Sequence, residues 1–130
     1  MKASDEPSIE AAFATLVEQH ADALLVSPDS YFVSQCGQLA RLAAQYAIPA
    51  MHSRRECTIA GGLTSYGPSL AEVYRQVGGY AGRILKGEKP SDLPVQQSST
   101  FELVVNLKTA KALGITIPPS IMVRADEVIE

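Results

Sequence analysis

Hydrophobic residues along the chain recur with two different spacings. From residue 8 to 20, Ile9, Ala12, Phe13, Leu16 and Val17 fall on one face of a helix. Asp5 or Ser4 is placed to cap it, with Pro7 in its first turn. Ala23-Leu24-Leu25-Val26 is a short apolar run bounded by Asp22 and by Ser27-Pro28-Asp29-Ser30. That is the pattern of a strand buried on both faces. Helical spacing returns over 32–47, with Phe32, Val33, Cys36, Leu39, Ala40, Ala43, Ala44 and Ala47 in the stripe. Ile48-Pro49-Ala50-Met51 predicts a second strand, with its proline near the start, where one is tolerated.

The middle is less regular. Residues 53–57 are polar and predict a loop or one helical turn, and Leu63-Thr64-Ser65-Tyr66 predicts a strand after Gly61-Gly62. The strongest helix spans 69–86, with Leu70, Val73, Tyr74, Val77, Ala81, Ile84 and Leu85 on one face. Lys86 and Gly87 form its stop signal. Glu88 to Ser99 has no periodicity and predicts an extended connector. Phe101–Val105 predicts a strand, Asn106 a cap, 107–113 a short helix that Gly114 ends, and 121–129 a last amphipathic turn or two. Helices alternating with wholly apolar strands predict an α/β fold: a parallel sheet flanked by helices.

Composition narrows the class. The chain has 130 residues, 11 Lys+Arg against 14 Asp+Glu, and a net charge of −3. That balance lacks the basic footprint of a nucleic-acid binder. Hydrophobic residues make up 46% and charged residues 19%, which suits a packed domain rather than a disordered one. No apolar run approaches the ~18–20 residues of a membrane span. Residues 1–7 contain no apolar stretch of the signal-peptide kind.

Candidate chemistry gathers at one predicted edge. In open α/β sheets, ligands bind beyond the carboxyl ends of the strands. The loop after the first strand offers Ser27, Asp29, Ser30 and Tyr31: hydroxyls, a carboxylate and a ring. Asp29 and Ser30 equally suit capping of the following helix. Arg54, Arg55 and Glu56 follow the second strand, where arginine could clamp a carboxylate or phosphate, or simply face solvent. Gly61-Gly62 lacks the dinucleotide fingerprint and predicts a close backbone approach, to a ligand or to another strand. No P-loop, GxSxG or HExxH motif occurs. Neither Cys36 and Cys57 nor His20 and His52 have zinc spacing, so no metal and no cofactor are expected. The cysteines are expected as separate free thiols, Cys36 in a helix core and Cys57 in a polar loop. A disulfide is the alternative in an oxidising compartment.

Several runs resemble a known family. They are Ala23–Asp29, Gly61–Gly67, Tyr74–Gly78, Gly82–Pro90, Phe101–Ala110 and Gly114–Pro118. Most specific are Gly-Arg-Ile-Leu-Lys-Gly-Glu-Lys-Pro and Asn-Leu-Lys-Thr-Ala-Lys-Ala-Leu-Gly. Over nearly its whole length the chain resembles the C-terminal part of ABC-transporter substrate-binding proteins of the tryptophan/tyrosine-binding type. The resemblance implies a type I periplasmic binding protein fold, with two α/β lobes closing on a solute. It implies that 1–67 form the main βαβ part of the second lobe. By the same likeness, 68–99 are the crossover helix and connector, and 100–130 return to the lobes. Complete members are more than twice as long, so the chain is expected to be truncated, without its first lobe or signal peptide. Asp29 matches the acidic ligand contact of the amino-acid-binding relatives, with Ser30 where they often carry Asn. Arg54–Glu56 matches their second loop in position but not in sequence, and Gly62 matches the glycine that opens the return strand.

The function implied is capture of a small-molecule solute for an ABC permease, with no catalysis and no nucleic acid, in the periplasm or outside the cell. An effector-sensing lobe of a transcription regulator and an enzyme on a flavodoxin-like fold are the alternatives. In the family the helix over 69–87 packs on the first lobe. Without that lobe its apolar row implies a homodimer, with 88–99 as a hinge for exchange.

Overall fold

The computed structural model describes residues 2–130. It divides into two compact units, Met1–Gly67 with Glu102–Glu130, and Pro68–Phe101.

The first unit begins with helix α1, Glu6–Glu18. Its start is fixed by a reciprocal cap. The Asp5 carboxylate accepts from the Ser8 N–H at 2.9 Å, and the Ser8 hydroxyl accepts from the Asp5 N–H at 3.0 Å. Hydrogen bonding from Ser8 to the carboxylate, by its side chain and then by its backbone N–H, holds the Asp5 carboxyl below its ordinary value. Strand β1 is Leu24–Leu25, followed by helices α2, Ser30–Ser34, and α3, Cys36–Gln45. Strand β2 is Ala50–His52, helix α4 Arg55–Ile59 and strand β3 Thr64–Pro68. After the second unit come strand β4, Phe101–Asn106, helices α6, Leu107–Ala112, and α7, Pro119–Met122, and strand β5, Glu127–Ile129.

The strands form one five-stranded sheet in the order β1-β2-β3-β4-β5. β1 and β2 are parallel, with Leu24 opposite Ala50, and so are β2 and β3, with His52 opposite Ser65. β4 and β5 are parallel through Val105 and Val128. Between β3 and β4 the Asn106 N–H donates to the Leu63 carbonyl, whereas the Ser69 N–H donates to Thr100. Numbers rise along one strand as they fall along the other, so β4 runs against β3. The sheet is therefore mostly parallel, with one reversal where the chain leaves the unit and re-enters it. Its core joins Ile9 and Phe13 of α1 to Leu39, Leu42 and Ala43 of α3, with Val26, Ile48 and Ala50 from the strand region. Each such large side chain stabilises the fold by about 1.5–3 kcal/mol when buried.

Several sequence expectations need correction. The predicted 32–47 helix is two helices, α2 and α3, meeting at Gln35 (φ −101°, ψ 19°). The cysteines are not free thiols: Cys36 and Cys57 form a disulfide, with Cα atoms 4.8 Å apart. Cys57 lies in helix α4 rather than in a polar loop, and is 3% exposed. Successive helices on one face of a parallel sheet lie side by side, which brings α3 and α4 together across a separation of 21 residues. β1 is not buried on both faces, because Leu25 on this edge strand is 75% exposed. The last segment is a turn of helix followed by strand β5, which three alternating residues were too few to signal.

The second unit is built on helix α5, Leu70–Leu85. Gly87 ends it at φ +105°, a left-handed conformation that glycine adopts without strain. The connector folds back along the helix: the Tyr80 hydroxyl donates to the Pro94 carbonyl, and Arg83 makes a forked contact to Glu88 at 2.6–2.9 Å. That guanidinium holds the Glu88 carboxyl below its ordinary range. None of the residues of α5 is buried.

Candidate functional site

The carboxyl ends of β1, β2 and β3 enclose a concavity of about 330 Å³, lined by Leu25, Val26, Ser27, Pro28, His52, Ser53 and Tyr66. That volume is at the small end of the range of small-molecule sites. Its walls follow from the local chain. The Val26 N–H donates to the Met51 carbonyl at 2.9 Å, which carries the ladder one residue past β1. The Asp29 N–H then closes a tight turn on the Ser27 carbonyl at 2.8 Å. On the far side, Gly67 of β3 passes hard against the second loop. A Cβ there would lie 2.0 Å from the Ser53 carbonyl oxygen, so only glycine lets the strand approach.

Of the sequence-predicted residues, only Ser27 lines this concavity. Asp29 caps α2, accepting from the Tyr31 N–H at 2.8 Å. Ser30 is exposed in the first turn of α2. Tyr31 packs on the core beside Phe32. Partial burial, then the charges of Glu6 and Asp5, push its hydroxyl pKa up. Arg54 precedes α4 and has Nη1 out of water without a partner. Its neighbour Arg55 pairs with Glu127 and, at 3.7 Å, with Glu102, so it braces α4 against β4 and β5. Glu56 is exposed on α4. Gly62 is buried: a Cβ there would meet the Cys57 carbonyl at 2.8 Å and the His52 ring at 2.9 Å. Its close backbone approach is to that imidazole.

Sequence reasoning missed His52, weighed there only as a metal ligand. The signal was its place: a titratable residue directly following an apolar strand on the edge where such sheets bind ligands. In the structure it is 2% exposed, and neither Nδ1 nor Nε2 has a hydrogen-bond partner. Burial lowers its pKa, which favours the neutral ring. The Ser65 hydroxyl, opposite it on β3, is likewise buried without a partner. An unpaired buried polar group costs about 1–3 kcal/mol. Among the described residues, no group of three or more His, Cys, Asp or Glu could hold a metal ion. No helix among them is long and apolar enough to cross a membrane.

A mostly parallel α/β unit with a concavity at its strand ends has the layout in which open α/β folds take small molecules. Comparison with known proteins makes that class specific. The family model described as ABC transporter substrate binding protein matches residues 2–129, and the chain belongs to that family. A tyrosine-binding protein of Clostridioides difficile is 27% identical over 112 residues, covering 86% of this chain and 32% of that protein. The structure of an ABC domain in complex with L-Trp from Streptococcus pneumonia superposes with a TM-score of 0.80 at 32% identity, over 92% of this chain and 41% of that one. A conserved domain protein of Vibrio cholerae superposes with a TM-score of 0.88 at 26% identity, over 98% and 43%. The chain thus spans about a third of the length of the curated relative and about two fifths of the solved ones.

Proposed function

We propose that this chain is the second lobe of the solute-capturing component of an ABC importer. It holds a small molecule at the carboxyl edge of β1–β3 for delivery to a membrane permease, and carries out no chemistry. The observation that supports this most directly is the concavity of about 330 Å³ at that edge. The solute we favour is an amino acid with an aromatic side chain, by analogy with the tyrosine-binding relative and the relative bound to L-Trp. Asp29 retains a carboxylate oxygen beyond the one that caps α2, suited to an ammonium group. The compartment we favour is periplasmic or extracellular, where the Cys36–Cys57 disulfide would persist.

Titration of the isotope-labelled protein with millimolar L-Trp and L-Tyr tests the reading. Amide shifts are expected at 26–31, 52–54 and 65–66. No response to any amino acid, or a response confined to other residues, overturns it.

We further propose that the chain by itself pairs through α5. The support is its row of exposed apolar groups, with Tyr74 69%, Val77 59% and Leu85 88% exposed. Light scattering should give twice the chain mass at high micromolar concentration, and a monomer there would refute it.

A further inference from the structure

His52 unites two properties that no other described residue of the concavity combines. It is 2% exposed, and both of its ring nitrogens lack a partner. The fold holds it there deliberately. Gly62 lies against the Cδ2–Nε2 edge of the ring, so closely that a Cβ at that position would come within 3.0 Å of Nε2. Nδ1 belongs to the other edge. A buried polar group that a folded protein leaves unsatisfied calls for an explanation, and a partner that arrives with a ligand is one.

We propose that His52 reads the solute, its uncharged imidazole accepting a hydrogen bond from an N–H or O–H group of a molecule in the concavity. The inference rests on the solute-binding reading above and adds to it the class of group recognised. A neutral imidazole offers one donor and one acceptor. It therefore suits an uncharged polar hydrogen better than a carboxylate, which favours imidazolium. Burial supports the neutral form. Neither nitrogen is open to water, so the contact requires the ring to move from its present setting when the solute binds. Solutes with an indole N–H or a phenol O–H meet the requirement, whereas a plain phenyl ring does not.

The test compares L-Trp, L-Tyr and L-Phe on the wild-type protein and on His52→Phe, by calorimetry and by the ¹⁵N resonances of the imidazole. Wild type should bind L-Trp or L-Tyr about tenfold or more tightly than L-Phe, and that ligand should move the His52 ring resonances. His52→Phe should lose this advantage while its thermal midpoint holds or rises, since two unpaired buried polar atoms are gone. His52→Gln, which keeps a donor and an acceptor, should recover part of it and covers the case in which the phenylalanine variant fails to fold. If wild type binds L-Trp or L-Tyr but His52→Phe binds it equally well, the inference about His52 falls and the solute reading stands. If wild type binds none of the three, both fall.

Discussion

The two units of this chain bury their apolar residues in opposite ways. In the first, α1 and α3 turn Ile9, Phe13, Leu39 and Leu42 onto the sheet, where each is at most 5% exposed. In the second, α5 has an equally regular apolar row and leaves all of it at least partly in water. Periodicity therefore identifies a helix and its apolar face, but not what covers that face. The first unit supplies its own cover. The second is held by polar contacts instead, Tyr80 to Pro94 and Arg83 to Glu88. Exposed pairs of that kind are worth little, about 0–1 kcal/mol.

The contrast is sharpest under truncation of single side chains. Phe13→Ala should destabilise the protein by about 3–5 kcal/mol, the usual figure for a fully buried aromatic. Val77→Ala on α5 should stay within about 0.5 kcal/mol in dilute solution. Urea unfolding of both variants checks this. If Val77→Ala costs as much as a core truncation, and more as concentration rises, α5 is covered by a second copy and the contrast holds only for the monomer.

Next in size is the disulfide, which lies wholly in the first unit. Closing a loop of this length is worth about 3 kcal/mol in the chain-entropy account. Reduction should lower the urea midpoint by a corresponding amount and leave α5 helicity unchanged by circular dichroism. Thiol titration of the denatured, unreduced protein should find no free thiol. Two thiols per chain would restore the expectation drawn from sequence.

How far the sequence was legible follows the same division. The bounds of α5, the Asp5 and Asn106 caps and the Gly87 stop depend on residues near in sequence, and they could be read. The Cys36–Cys57 bridge, the reversal between β3 and β4 and the strand β5 depend on which elements the fold sets side by side. Local patterning does not encode that. The site shows the same limit. Ser27 was found because it follows an apolar run, and Asp29 because an acid at that place suggests a cap or a ligand. His52 ends a strand whose apolar run stops at Met51, and its buried setting comes from Gly62, ten residues on.

His52 also gives the first unit a dependence on acid that the second has no buried titratable group to share. Its pKa is lowered by burial, so the folded state takes up a proton less readily than the unfolded chain, whose histidine titrates near 6.5. Above that pH both states are neutral at this residue and its contribution is constant. Below it the unfolded state binds more protons, and stability declines as pH falls toward the folded pKa. Urea midpoints of wild type and His52→Phe between pH 5 and 8 check this. The two curves should run parallel above about 6.5 and separate below it, with wild type losing more. Parallel curves throughout would mean that the ring is not closed to water.

The smallest effect concerns Asp29, a helix cap to which the proposed function adds a contact with the solute. Its carboxylate caps α2 by accepting from the Tyr31 N–H at 2.8 Å. Asp29→Ala should therefore cost about 1 kcal/mol, the usual loss for a cap. Asp29→Asn keeps an oxygen in the capping position and should cost only a few tenths, since Asn and Asp cap about equally well. The same two variants behave differently toward an ammonium-bearing solute. Asp29→Asn removes the negative charge and should weaken binding about tenfold, equivalent to about 1.4 kcal/mol. Asp29→Ala should weaken it at least as much, because it removes the charge and loosens the loop together. Calorimetry with L-Trp or L-Tyr alongside urea unfolding separates the outcomes. An Asn variant that is both stable and binds like wild type would leave Asp29 as a helix cap alone, and would move recognition of the ammonium group away from the first loop.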